Sequence, residues 1–222
     1  FPLFFQNKVF GYITLAYENN HIDYHFQLVH WFMNIRQLLK RLSDAKRTSL
    51  LVSHLEDIYT KDALTGLYNK HGYLHHEAIL LSEAAEKKSI VTCFLFDLNH
   101  LKYINDHYGH NEGDFAIQVI GHALSSVTRP TDICARFSGD EFYLLAMDYT
   151  KEDADELLTR VYKYLDNYNK LSHKEYTISA SGGYAQSAPG SSLTKEDIKA
   201  LFSMADEQMY QQKEIFHQDL DR

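Results

Sequence analysis

No block of basic residues occurs in this sequence, and 30 acidic residues against 22 Lys and Arg leave a net charge of −8. A protein that grips a nucleic-acid backbone needs clustered Lys and Arg, so no nucleic-acid polymer is expected as a partner. Long apolar runs are missing too. None reaches the ~18 residues of a membrane-crossing helix, so no membrane segment is expected in this stretch. The expected location is cytoplasmic, with room for a membrane attachment upstream. Phe1–Phe5 is apolar but lacks the charged start and cleavage pattern of a signal peptide. The chain begins at Phe1 and not at Met, which sets the expectation of a piece of a longer protein. Cysteine is scarce: Cys93 and Cys134 fall in apolar stretches and read as reduced core residues, not as a disulfide or a metal pair. Thirteen histidines are present, yet none forms an HxxxH pair with a nearby third ligand, and His75-His76 reads as a helix face. What the chain does have is 222 residues at 45% hydrophobic content, enough for one full core and a smaller element.

The most informative stretch is Arg136-Phe-Ser-Gly-Asp-Glu-Phe142. Residues 132–137 read as one strand and 142–147 as its partner, with Ser138, Gly139, Asp140 and Glu141 between them as a hairpin turn. Two adjacent carboxylates at a tight turn repel each other, and a hairpin needs at most one of them beside its glycine. Held on a rigid turn, next to backbone bare enough for a phosphate to approach, such a pair suits Mg²⁺ and a nucleotide. An exposed, solvated turn is the plainer alternative. A further carboxylate, Asp97, follows the apolar run of residues 90–96, which reads as a strand buried on both faces. At a strand's C-terminal edge it suits a metal, or it caps the next helix.

Taken in order, residues 2–5 and 9–16 read as two short strands about a turn at 6–8, the tail of a truncated sensor domain over 1–20. From His21 to Tyr59 the pattern is helical, without Pro or Gly. Leu28, Ile35 and Leu42 recur every seven residues, as do Trp31, Leu38, Ala45, Val52 and Tyr59, while Ser49 and Glu56 weaken the seam. A seam of that length predicts a coiled-coil linker over 21–61 that pairs with a second copy. Gly66 turns the chain, and Asn69 caps a helix over 70–87. Residues 99–114 are dense in polar side chains and glycines, and Asp114 stands where a cap would precede an amphipathic helix running from Phe115 to near Thr128. Arg129-Pro-Thr-Asp132 reads locally as a turn. Beyond the hairpin come a helix over 151–167, a strand over 175–180, a bulge or close approach at Gly182-Gly183, a loop over 187–192 and a last helix over 195–214.

Asp62-Ala-Leu-Thr-Gly-Leu-Tyr-Asn69, Phe96-Asp-Leu-Asn99, Lys102-Tyr-Ile-Asn-Asp106, Gly109-His110, Gly113-Asp114, Ser138-Gly-Asp-Glu-Phe142, Ala205-Asp206 and Tyr210-Gln-Gln-Lys213 stand in that order. Together they resemble the GGDEF family of diguanylate cyclases over about residues 62–213, and the first twenty residues resemble the closing strands of a GAF-like sensor. The resemblance implies an α/β (α+β) palm domain over 62–222, its central, mostly antiparallel sheet flanked by helices and preceded by a long N-terminal helix. It implies an enzyme that joins two GTP into cyclic di-GMP and releases two pyrophosphates, in a homodimer whose subunits each hold one GTP. Carried over residue by residue, Asp97, Asp140 and the backbone carbonyl of Leu98 would hold Mg²⁺, with Mn²⁺ as a substitute. Glu141 would help deprotonate the attacking hydroxyl or support the turn. Asn105 and Asp114 would read guanine, Lys102 and Lys213 would neutralise phosphates, and Gly139 and Ser138 would lie beside the triphosphate. Arg129 and Asp132 match an inhibitory site for the product, with Arg136 as a further contact.

Three positions depart from the family pattern. Ser138 replaces the first glycine, Asn99 stands where a second Asp is common, and Phe216-His217 replaces the Gly-Arg after Lys213. Two other readings therefore stay open: a degenerate domain that binds GTP or cyclic di-GMP without turnover, and a dimerising scaffold with an idle pocket.

Overall fold

The computed structural model of the chain describes residues 2–5, 8–12 and 25–220, and clusters into two units, Phe1–Glu56 and Asp57–Arg222. In the first unit, strands β1 (Pro2–Phe5) and β2 (Lys8–Tyr12) pair antiparallel, with Pro2 opposite Tyr12 and Phe5 opposite Lys8. The expected turn at Gln6 and Asn7, the extension of the second strand to Ala16 and the helical residues 21–24 lie outside the described residues. Helix α1 (His25–Thr60) runs for 36 residues. Of its expected seam, Trp31, Leu38, Leu42, Val52 and Tyr59 are exposed and Ile35 is half-buried, while the Leu28 side chain lies outside the described residues. Leu51, Leu55 and Ile58 are exposed as well, and make a second stripe, three and four residues apart, that the seven-residue count did not contain.

The second unit continues with α2 (Lys70–Lys87), β3 (Val91–Leu98), α3 (Leu101–Tyr108), α4 (His110–Val127), β4 (Ile133–Ser138), β5 (Glu141–Met147), α5 (Lys151–Ser172), β6 (Ala180–Gln186) and α6 (Lys195–Leu220). The strand order is β4-β5-β3-β6 and every neighbouring pair is antiparallel. Strand β3 lies inside the sheet with residues 91–96 all buried, as its unbroken apolar run predicts. Its alternate residues serve two cores. Phe94, Phe96 and Leu98, with Phe142 and Leu144, pack against α4 and α5. Cys93 and Leu95, with Leu145, pack against α2 and α6. The result is the expected α/β architecture, an antiparallel sheet between two helical layers. Both cysteines are free and buried, and burial pushes the Cys134 thiol up to about 12.

Three expectations change. The last strand is not over 175–180 but is β6, with Gly182 and Gly183 inside it, opposite Phe96 and Leu95 in unbroken register. The glycines mark a close approach and no bulge. A Cβ on Gly183 would sit 2.2 Å from the Ala205 carbonyl oxygen and 2.6 Å from the Met209 nitrogen, so α6 rests directly on the strand. Tyr176 and Ile178 are buried as strand residues would be, but the Ile178 backbone is held by the Asn169 side chain, at 2.9 Å to its N–H and 2.8 Å to its carbonyl. Second, the polar stretch after Asp97 contains a helix, α3. Third, α4 starts at His110 behind an N-cap at Gly109, so Asp114 is inside the helix and caps nothing.

Candidate active site

Strands β4 and β5 join through a two-residue turn, Gly139 and Asp140, with Ser138 opposite Glu141. Gly139 has φ +41°, a conformation that favours glycine, whereas Ser138 is absent from the non-glycine residues of positive φ among those described. The serine that replaces a glycine therefore brings no backbone strain. Its Oγ donates across the turn to Glu141 Oε2 at 2.6 Å and orients that carboxylate. Arg136 braces the same turn, donating Nε to the Gly139 carbonyl at 2.8 Å and Nη1 to Asp62 Oδ2 at 3.3 Å. Its guanidinium is thus engaged with the hairpin, where the sequence reading put it beside Arg129 and Asp132.

The other half of the site comes from the end of β3. Asp97 lies directly opposite Glu141 on one side and Ser181 on the other, so all three side chains leave the same face of the sheet. The Leu98 N–H donates to the Asp140 carbonyl at 3.2 Å, which ties the turn to the end of β3. From α6, Lys213 donates to Asp97 Oδ1 at 2.5 Å, and the seating of α6 on Gly183 brings it there. Burial is the chief cause that lifts the Asp97 carboxyl above its ordinary value; Lys213 pulls it down, and the charges of Asp140 and Glu141 push it up again. Asp97 is not a helix cap, since the N-cap of α3 is His100. Asn99 proves to be a strut. It is buried, accepts from Ser181 Oγ at 2.9 Å, and donates to Ser179 Oγ at 3.3 Å.

Among the described residues no three His, Cys, Asp or Glu side chains form a ready metal cage. Mg²⁺ needs none, because it binds through one or two carboxylates and takes its remaining oxygens from water and substrate phosphates. Asp97 and Asp140 carry carboxylate oxygens of the type such an ion takes.

Helix α3 follows directly on the end of β3, and α4 packs against it. Lys102 and Asp114 are exposed, and Asn105 is half-buried. Gly113 is buried, and a Cβ on it would fall 1.9 Å from Asn105 Oδ1. The glycine makes the space the amide occupies, a role no local pattern reveals. Glu112, one residue earlier, accepts from Lys174 Nζ at 2.6 Å and from the Tyr176 hydroxyl, which fastens the first turn of α4 to the segment after α5.

Arg129 and Asp132 sit at the other end of β4, whose six residues span ~20 Å at about 3.4 Å each. Asp132 Oδ2 accepts the Arg129 N–H at 2.7 Å and the Tyr149 hydroxyl at 2.8 Å. The Arg129 guanidinium lies over the Tyr149 ring, 4.2 Å from its centre. Burial raises the Asp132 carboxyl, against the bonds from Arg129 and Tyr149. Tyr149 was not among the sequence candidates, because only the fold brings it to the turn.

Comparison with known proteins gives a consistent result. The family described as diguanylate cyclase, GGDEF domain, matches residues 59–218. A probable diguanylate cyclase, DgcC of Escherichia coli strain K12, is 30% identical over 167 residues, covering 74% of this chain and 43% of the relative. Diguanylate cyclase A of Treponema denticola is 24% identical over 219 residues, covering 96% of this chain and 56% of the relative. The chain thus spans about half the length of these relatives. Among solved structures, the GGDEF domain of DgcB from Caulobacter crescentus, in complex with cyclic di-GMP, superposes with a TM-score of 0.61 at 25% identity, covering 70% of this chain and 90% of that one.

Proposed function

The chain belongs to the GGDEF family of diguanylate cyclases, and on that premise we propose that it joins two GTP into cyclic di-GMP, one GTP held by each of two subunits. The observation that carries this reading is the corner where Asp97 faces Glu141 across the sheet, Asp140 occupies the turn and Lys213 reaches in from α6. Asp97, Asp140 and the Leu98 carbonyl would hold Mg²⁺ or Mn²⁺, and such an ion would supply Lewis-acid neutralisation of the triphosphate. Lys102 and Lys213 add point charges for the phosphates, and the backbone at Gly139 lies along them. Asn105 offers guanine a donor and an acceptor, and Asp114 accepts its N1–H and N2–H. Glu141, oriented by Ser138, takes the proton as a ribose 3′-hydroxyl attacks the α-phosphate of the other GTP and pyrophosphate departs. Two such attacks close the ring. The exposed stripes of α1 pair the subunits. Steady-state pyrophosphate release from Mg²⁺ and GTP tests the reading; a receptor without turnover binds nucleotide and releases none.

The Ser138 hydroxyl engages Glu141 and the backbone there is unstrained. Ser138→Gly is therefore expected to change that rate by less than about tenfold, or ~1.4 kcal/mol. An inert wild type that the glycine switches on would favour the receptor reading. Gly113→Ala should do more. The added methyl displaces the Asn105 amide, so the GTP KM should rise about tenfold, by the ~1–2 kcal/mol of a lost hydrogen bond. Thermal stability should hold, since Ala favours a helix by ~1 kcal/mol over Gly; an unchanged KM would remove Asn105 from guanine recognition.

Product inhibition is proposed at Arg129 and Asp132. Arg129→Ala should weaken cyclic di-GMP binding by about 1.5–3 kcal/mol, as for a charged hydrogen bond. Equal affinities by titration calorimetry would reduce the segment to a turn.

A further inference from the structure

Helix α1 ends at Thr60 and α2 begins at Lys70, and one side chain serves both ends. Asn69 is the N-cap of α2: its Oδ1 accepts the Gly72 N–H at 2.9 Å. The same amide donates Nδ2 to the Tyr59 carbonyl at 2.9 Å and to the Lys61 carbonyl at 3.0 Å. Its backbone N–H donates to the Thr60 carbonyl at 2.8 Å. The last carbonyls of a helix have no partner within it, and here a single residue supplies donors to two of them, Tyr59 and Thr60, and to the Lys61 carbonyl just beyond. Contacts on either side reinforce the junction. Gly72 lies so close that a Cβ on it would fall 2.2 Å from the Thr60 carbonyl oxygen. Tyr59 stacks on His71 with ring centres 5.1 Å apart, and the Lys61 ammonium lies 3.4 Å from the centre of the Tyr68 ring. The turn that follows is tied onward to the catalytic strand: Tyr68 donates its N–H to the Cys134 carbonyl at 3.1 Å and accepts the Arg136 N–H at 2.8 Å.

N-capping alone would be served equally by Asp or Ser, which accept but offer no amide donor. Only Asn satisfies both helix ends at this position. We propose that Asn69 is a positioning residue that locks the last turn of α1 to the start of α2. Residues 57–60 of α1 are then held to the start of α2 within the catalytic unit. The functional half of this inference rests on the cyclase reading; the mechanical half does not.

Asn69→Asp and Asn69→Ser separate the two roles, because each keeps the acceptor for Gly72 and loses the donors to Tyr59 and Lys61. The Asp variant also sets a negative charge against the negative end of α1, and the Ser variant controls for that charge. Site-resolved hydrogen exchange on the full chain should show the amides of residues 58–61 exchanging about tenfold faster in both variants, with Gly72 protection unchanged. Where the wild type makes cyclic di-GMP, kcat should fall severalfold at constant GTP KM, since Asn69 touches no nucleotide-binding residue. Unchanged exchange at 58–61, equal losses at 58–61 and 72, or an unchanged kcat would each overturn the proposal. Failure of the cyclase reading shows separately, as a wild type without product.

Discussion

Asp140→Ala should reduce turnover by about a thousandfold or more while the protein melts within a few degrees of the wild type. The carboxylate stands at the tip of the β4–β5 turn, outside both cores. The contact that ties the turn to β3 uses the Asp140 backbone carbonyl, which alanine keeps. Removing the side chain even relieves repulsion with Asp97 and Glu141. The stability change should therefore stay within about 1 kcal/mol. Turnover is different, because a charge placed where the transition state needs it is worth ~3–4 kcal/mol, or two to three orders of magnitude, and under the proposed metal set the ion would be lost with it. Calorimetric melting beside steady-state pyrophosphate release separates the two effects. A variant that folds and retains normal turnover would remove Asp140 from the metal set.

The second large effect is expected on α1. Leu42 is 60% exposed and Leu38 58%, so neither supports the fold of the helix that carries it. Leu42→Lys should leave secondary structure intact and break subunit pairing. Each of two facing leucines forfeits ~1.5–3 kcal/mol of burial, and the two lysines would also repel. A loss of ~3–6 kcal/mol raises the dimer dissociation constant by two to four orders of magnitude. Under the proposed function, in which each of two subunits holds one GTP, specific activity should fall steeply on dilution in the variant and recover part of its value at high concentration. Turnover over a dilution series, with sedimentation of the same samples, makes the measurement. Superimposable curves for variant and wild type would mean that α1 does not govern the encounter of the two sites.

The parts of this molecule legible in its sequence are those in which neighbours along the chain do the physical work. The apolar run of β3 announces a strand buried on both faces, and Ser138-Gly-Asp-Glu announces a tight turn with more charge than a turn requires. The α2 cap at Asn69 is local as well. What stayed hidden depends on residues far apart. Gly182 and Gly183 argue against a strand by propensity, yet they lie within one because Phe96 and α6 fill the space side chains would take. The α3 helix is masked by its polar composition. Asn99 reads as a weakened Asp until Ser179 and Ser181, some eighty residues later, appear as its partners. The second role of Asn69 needs the carbonyls of the preceding helix, and Tyr149 needs the fold to bring it to Asp132.

The most direct measurement is a single incubation of the purified chain with Mg²⁺ and GTP, followed by mass-spectrometric identification of the products. Cyclic di-GMP and pyrophosphate in a ratio of one to two are expected, with no cyclic product from ATP. GTP recovered unchanged from a folded, dimeric protein that binds it would contradict catalysis at the Asp97–Asp140 corner.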